Sequence, residues 1–251
     1  MVWVYVLIHT FSPQKIGFEF LSFKTCLVGQ AFLMLSQLTI GGNMEYRAVG
    51  NRLAVNFESL RFQVDLPTFI YSENTALMML EKKGFKVLEI DIIALARKCI
   101  NTSQYRRCAK SSEAPAVVDC SSFIKWLYGQ SGIWLPRRSI QQRDMGEIVA
   151  FDDIRRSDVV FISGRVDYFH DDPCDGVGHV GIATGTGTVI HAANSKIGVI
   201  ETPLSEFVDK KFRGARRYLP KNVRVFVLQI PPNREVEIED DLRWIISQPT
   251  P

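Results

Sequence analysis

The chain has no CxxC pair, no uninterrupted apolar run of membrane-spanning length, no internal repeat and no low-complexity tract. Each absence removes a class of protein. Five cysteines at irregular spacing (Cys26, Cys99, Cys108, Cys120, Cys174) make neither a disulfide framework nor a structural zinc site. No apolar segment predicts an integral membrane span. Charge of one sign is also scarce: the net charge is +3 over 251 residues. Arg137-Arg138, Arg155-Arg156 and Arg213 to Arg217 are scattered rather than gathered into a stripe, so nucleic acid is not an expected partner. An apolar content of 46% with 23% charged residues is that of a globular protein.

The two apolar tracts near the start are short. Met1 to Thr10 cannot cross a bilayer, and Cys26 to Ile40 is interrupted by Gln30, Ser36 and Gln37. With Lys24 before it and Gly41-Gly42 after it, the second tract fits a signal-like h-region or a buried helix, and Met44 is an alternative start. Residues 1–43 are therefore read as an N-terminal extension. Residues 44–85 are read as an accessory segment, with strands at Arg52 to Phe57 and Leu60 to Val64 and a helix from Ser72 to Lys83 stopped by Gly84.

A helix is expected from Leu88 to Ile100, with Cys99 on its apolar face, followed by a polar connection from Asn101 to Glu113 that contains Tyr105. Val117 and Val118 then lead into Asp119-Cys120-Ser121-Ser122. Phe123, Ile124, Trp126, Leu127 and Tyr128 share one side of a helical wheel, with Gly129 as the expected stop. Asp119 and Ser121 are capping types, which puts Cys120 in the first turn. There, unpaired N–H groups and the positive end of the dipole favour a thiolate. Read on the local stretch alone, Cys120 is equally one more small buried hydrophobe. A short helix follows around Ile140 to Met145.

The period then changes to that of strands. Asp158 to Ile162 is a compact strand, and Ser163 to Gly178 is an Asp/Gly-rich loop carrying His170, Asp171, Asp172, Cys174 and Asp175. His179 to Thr184 and Val189 to Ala193 form a hairpin around Gly185-Thr186-Gly187. Val223 to Ile230 is a last strand, and the acidic tail with Leu242, Trp244, Ile245 and Ile246 is expected to dock on the domain.

The hairpin gives Cys120 its context. The chain has four histidines, and two of them, His179 and His191, lie an even twelve residues apart with Gly185 at the midpoint. An odd-length loop puts both rings on one face, with Cβ atoms about 5 Å apart if directly opposed. A two-residue turn at 185–186 would instead turn one ring away. Gly181 and Ala183 line the same face and are expected to leave it open to a large ligand. A thiol at a helix start and two facing imidazoles are the parts of a cysteine nucleophile system: one ring takes the thiol proton and the second orients the first.

Asp119-Cys120-Ser121, Leu135-Pro136-Arg137, Ser157-Asp158-Val159-Val160-Phe161, Gly178-His179-Val180-Gly181-Ile182, Ile190-His191-Ala192 and Arg216-Arg217 resemble, in order and spacing, the motifs of NlpC/P60 cysteine peptidases. The resemblance covers about residues 86–220, leaving 221–251 as a C-terminal strand and acidic tail. It implies a papain-like α+β domain with the catalytic helix packed on an antiparallel β-sheet. It also implies hydrolysis of peptidoglycan stem peptides at the bond between γ-linked D-glutamate and a diamino acid, without a cofactor. By the same resemblance Cys120 is the nucleophile, His179 the general base and His191 the third polar residue. Tyr105, Asp119 and Ser121 would hold the substrate amine or support the oxyanion. The implied partners are peptidoglycan peptides or muropeptides, met in the cell envelope, outside the cell, or during recycling of wall fragments in the cytoplasm. Ser122 departs from the family pattern, standing where glycine is usual, and the 163–178 loop is long. Three other readings of the same residues are an amidase or acyltransferase, a wall-binding module that does not cut, and a zinc site built from Cys120, His179 and His191.

Overall fold

A computed structural model describes residues 46–56, 72–164, 176–209, 211–219 and 225–248. All of them fall within the compact unit Asn43–Pro251. The N-terminal extension, the expected strand at Leu60 to Val64, and residues 165–175 of the long loop, with His170, Asp171, Asp172, Cys174 and Asp175, lie outside the described residues.

The organising element is helix α3, once the elements before it are set out: β1 (Arg52–Asn56), α1 (Glu73–Lys82), β2 (Lys86–Leu88), α2 (Ile92–Lys98), β3 (Gln104–Tyr105) and β4 (Val117–Val118), with α3 spanning Cys120–Gln130. Ser72 caps α1 by accepting from the Thr75 N–H, as the sequence suggests. The expected helix from Leu88 starts later, because Asp91 accepts from the N–H groups of Ile93 and Ala94 and so opens α2 after a short strand. Gly129 does not stop α3. It sits inside the last turn, where an added Cβ would lie 3.1 Å from Val49, and the helix ends at Ser131 and Gly132.

After α3 come α4 (Ser139–Arg143), β5 (Glu147–Val149), β6 (Val159–Ser163), β7 (Val177–Ala183), β8 (Thr188–Asn194), β9 (Gly198–Pro203), α5 (Leu204–Val208), β10 (Phe212–Arg217), β11 (Val225–Gln229) and α6 (Glu239–Ser247). The main sheet runs β5-β10-β6-β7-β8-β9, and a smaller one runs β1-β11-β2. Its neighbouring strands are antiparallel throughout. Sequence periodicity marks β6, β7, β8 and β11 but not β9 or β10. Glycine, proline and arginine dilute the apolar alternation there, and pairing with neighbours supplies the strand.

Phe123, Ile124, Leu127 and Tyr128 of α3 are fully buried in one cluster with Val159, Phe161, Val180, Ile182, Ile190 and Ala192 of the sheet. Burying each large side chain contributes about 1.5–3 kcal/mol, which ties the helix to this face. The opposite face carries a second cluster of Val160, Ile162, Ala183 and Val189 closed by Phe207 of α5. Near the C-terminus Leu242, Ile245 and Ile246 of α6 are buried, while Trp244 is 68% exposed and is not part of the docked face. Among the described residues no helix is long and apolar enough to cross a membrane.

A buried ion pair pins β10 to the start of β6. Arg217 donates through Nε to Asp158 Oδ1 at 2.8 Å and through a terminal nitrogen to Oδ2 at 2.6 Å. The two side chains are only 10% and 1% exposed. Removing one partner strands a buried charge, so Arg217→Ala is expected to lower unfolding free energy by about 3 kcal/mol, read by denaturant titration. An unchanged midpoint would show that Asp158 is satisfied by its bond from the Arg155 N–H alone.

Candidate active site

The first turn of α3 is built by reciprocal hydrogen bonds. Asp119 Oδ1 accepts from the Ser122 N–H at 2.8 Å, and Ser122 Oγ accepts from the Asp119 N–H at 2.8 Å. This capping box satisfies two backbone donors at once. It also explains the serine at 122: its side chain is fully buried and turned into the cap. Arg137, from the Leu135-Pro136-Arg137 motif, grips both Asp119 oxygens. It further donates to Ser121 Oγ at 2.9 Å and to the Ala109 carbonyl at 2.6 Å. The buried Gln142 amide donates to the Ser121 and Pro136 carbonyls, each at 2.9 Å. Sequence reading placed Arg137 within a motif without giving it a role, and did not single out Gln142. Nothing in the local sequence marks Gln142, which is the buried residue of a short polar helix.

Cys120 keeps partial access to solvent and packs against the core. The N–H groups of Ser121 and Val180 both reach its sulfur, which places the thiol against the backbone of β7 one residue beyond His179. Burial, then the charge of Asp119, push the thiol up to about 12, against those two N–H groups and Arg137, which pull it down. The helix start alone favours a thiolate, but burial beside a carboxylate outweighs it, and the resting sulfur is a neutral thiol. Asp119 itself is held below the ordinary carboxylate range: burial would raise it, and the hydrogen bonds from Arg137 and Ser122 more than offset that.

His179 Nε2 lies 2.9 Å from His191 Nδ1, the rings meeting edge to face at 5.0 Å between centroids. The sequence expectation of a common face holds, but its register does not. Gly185 and Gly187 both adopt positive φ (84° and 82°), and Thr184 closes the loop through its N–H to the Thr188 carbonyl at 3.0 Å. The turn is therefore centred on Thr186 rather than Gly185. Ile182 opposes Ile190 and Ala183 opposes Val189, so the next residue, His191, faces Gly181, and the two imidazoles are diagonal neighbours. Gly181 makes room for this, since a Cβ there would sit 2.4 Å from Val189 Cγ1 and 3.0 Å from His191 Cβ. Nor is the histidine face open: Phe207 covers it, its ring 4.8 Å from that of His191 and 5.7 Å from that of His179.

Burial lowers His179 to about 4, against the nearby charge of Asp119. Burial, then the His179 charge, lower His191 to about 3. At neutral pH the site thus holds a neutral thiol and two neutral imidazoles. Tyr105, in what reads from sequence as a polar connection, lies on β3. That strand pairs in parallel with β4, Tyr105 opposite Val118, immediately before the Cys120 turn. Its phenol is raised by burial, then by Cys120 and Asp119 close by. Tyr105, Asp119, Cys120, Ser121 and His179 are thus brought to one place, with His191 behind His179. Among the described residues no three His, Cys, Asp or Glu side chains are arranged so that they could hold one metal ion.

A half-buried thiol at a helix N-terminus, lodged against the strand that carries the first of two bonded imidazoles on an antiparallel sheet, defines the papain-like α+β class. Residues 103–217 match the NlpC/P60 family. It is 42% identical over 93 residues to a probable endopeptidase of Corynebacterium glutamicum, covering 37% of this chain and 36% of that protein. It is 33% identical over 104 residues to a γ-D-glutamyl-L-lysine dipeptidyl-peptidase of Bacillus cereus, covering 41% of this chain and 29% of that one. The chain thus spans about a third of the length of these curated relatives. Among solved structures, the NlpC/P60 domain of the peptidoglycan hydrolase SagA is 24% identical, with a TM-score of 0.40, covering 50% of this chain and 95% of that one.

Gly181→Ala is expected to push β8 aside, lowering stability by about 1–3 kcal/mol through overpacking. It should also separate the two rings, read as a change in the imidazole nitrogen resonances of His191. Unperturbed resonances in the folded variant would show that the strand absorbs the methyl elsewhere.

Proposed function

We propose that this domain is a cysteine endopeptidase that hydrolyses peptidoglycan stem peptides at the bond between γ-linked D-glutamate and a diamino acid. The observation that carries the reading is the 2.9 Å bond between His179 and His191, beside a thiol lodged against the same strand. The family relatives whose names include γ-D-glutamyl peptidase and hydrolase activities support the substrate class.

In this reading Cys120 is the nucleophile and His179 the base. His179 Nε2 is engaged by His191, which leaves Nδ1 to take the thiol proton as sulfur attacks the scissile carbonyl. Transfer occurs during attack because the resting pair is neutral. The Cys120 N–H, at the first position of α3 and without an intrahelical acceptor, supports the oxyanion. His179 then delivers its proton to the leaving amine, and water hydrolyses the thioester. Asp119 and Ser121, committed to Arg137, hold the turn that carries this donor, and Tyr105 forms the wall the substrate meets. We take 86–220 as the catalytic unit. The segments 44–85 and 221–251, which share the β1-β11-β2 sheet with β2, serve as its support. Action on the wall polymer places the protein in the envelope or outside the cell.

Purified protein incubated with muropeptides is expected to release stem fragments, and Cys120→Ala to abolish release. His191→Asn should retain part of the activity, because an amide can still accept from His179 Nε2. Persistent cleavage by Cys120→Ala would remove the assigned nucleophile. The pH dependence follows from the lowered base. His179 works only when neutral, so kcat/KM should hold from neutrality downward and fall as pH drops through about 4. An acid limb near 6.5, the value of a free imidazole, would show that His179 is not the base.

A further inference from the structure

Behind the two imidazoles stands a third polar side chain. His191 Nε2 lies 3.1 Å from Thr202 Oγ1 on β9. In the β8–β9 register His191 opposes Ile200, so Thr202 is again a diagonal neighbour two residues on. His179, His191 and Thr202 form one oblique row across β7, β8 and β9, with the same offset at each step. Thr202 immediately precedes Pro203 and α5, the helix that lays Phe207 over both rings. The far end of the row is therefore held by one hydroxyl beneath an apolar cover.

We propose that Thr202 is a positioning residue of this site, its hydroxyl accepting from His191 Nε2–H and so keeping His191 Nδ1 as the acceptor that His179 requires. The proposal rests on the hydrolase reading above. During attack the S–H bond breaks, its proton passes to His179 Nδ1, sulfur bonds to the carbonyl carbon, and the π pair moves to oxygen. His179 now carries a proton on each nitrogen and must donate from Nε2. His191 can accept that bond only through an unprotonated Nδ1, which puts its own proton on Nε2. A buried Nε2–H needs an acceptor, and Thr202 Oγ1 supplies it. When the C–N bond breaks, the Nδ1 proton of His179 leaves with the amine, while His191 and Thr202 keep their protons throughout. With no acceptor at 202, His191 shifts its proton to Nδ1 and donates to His179 Nε2. That drives the His179 proton to Nδ1, where it blocks the base.

The test compares wild type, Thr202→Val, Thr202→Ala and Thr202→Ser in the full chain. The substrate is a stem tetrapeptide with γ-linked D-glutamate, and the second readout is the imidazole nitrogen spectrum at neutral pH. The Val and Ala variants should lower kcat roughly tenfold to a hundredfold with KM within about twofold, the signature of an interaction used in the transition state. In both, the protonated nitrogen of His191 should change from Nε2 to Nδ1, and Thr202→Ser should restore rate and spectrum together. An unchanged His191 spectrum in both variants, or kcat within about twofold of wild type in both, overturns the proposal. If wild type cleaves no peptide, the hydrolase reading fails by itself and the nitrogen spectra still decide the role of Thr202.

Discussion

The sulfur of Cys120 is placed less by the two N–H groups that reach it than by the hydrogen bonds that build the turn beneath it. Asp119 and Ser122 exchange backbone and side-chain bonds across the first turn of α3. Arg137 then fixes Asp119 from the far side while reaching Ser121 and the Ala109 carbonyl. A carboxylate so enclosed stays ionised, and an ionised group next to a buried thiol keeps that thiol protonated. The same cap that sets the position of the thiol thus sets its resting state, and in the proposed mechanism it requires a base in reach of the sulfur.

The two imidazoles come from a different layer of the molecule. The main sheet presents one face to α3 and the other to α5, and the histidine row runs on the α5 side under Phe207. Burial there costs each imidazole its charge, so the pair rests in the neutral form. Desolvation raises the thiol and lowers the imidazoles. Both shifts favour the neutral forms over a pre-formed ion pair.

Support for the row is itself tertiary. Gly181 accommodates the Cβ of His191, and the Gly185-Thr186-Gly187 loop sets the offset between rings. The buried Asp158–Arg217 pair joins β10 to β6, whose Ile162 stands opposite His179. These contacts link residues up to 59 positions apart, and each acts on the geometry of the histidine row.

Local chemistry in the sequence determined several things outright. The apolar stripe of Phe123, Ile124, Leu127 and Tyr128 and the capping types before it fix a helix with Cys120 at its mouth, because helix periodicity and cap preference depend on residues a few positions apart. The even spacing of His179 and His191 fixes a shared face for any odd loop, because side chains on a strand alternate. Tertiary structure decided the rest. The diagonal offset follows from positive φ at two glycines, the closed histidine face from Phe207 on a helix that periodicity does not mark, and the partner of His191 from a strand visible only through its pairing. The neutral thiol is the clearest case. A helix start by itself favours the anion, and only the packing of distant residues around the sulfur, which no local pattern encodes, removes enough water to reverse that preference.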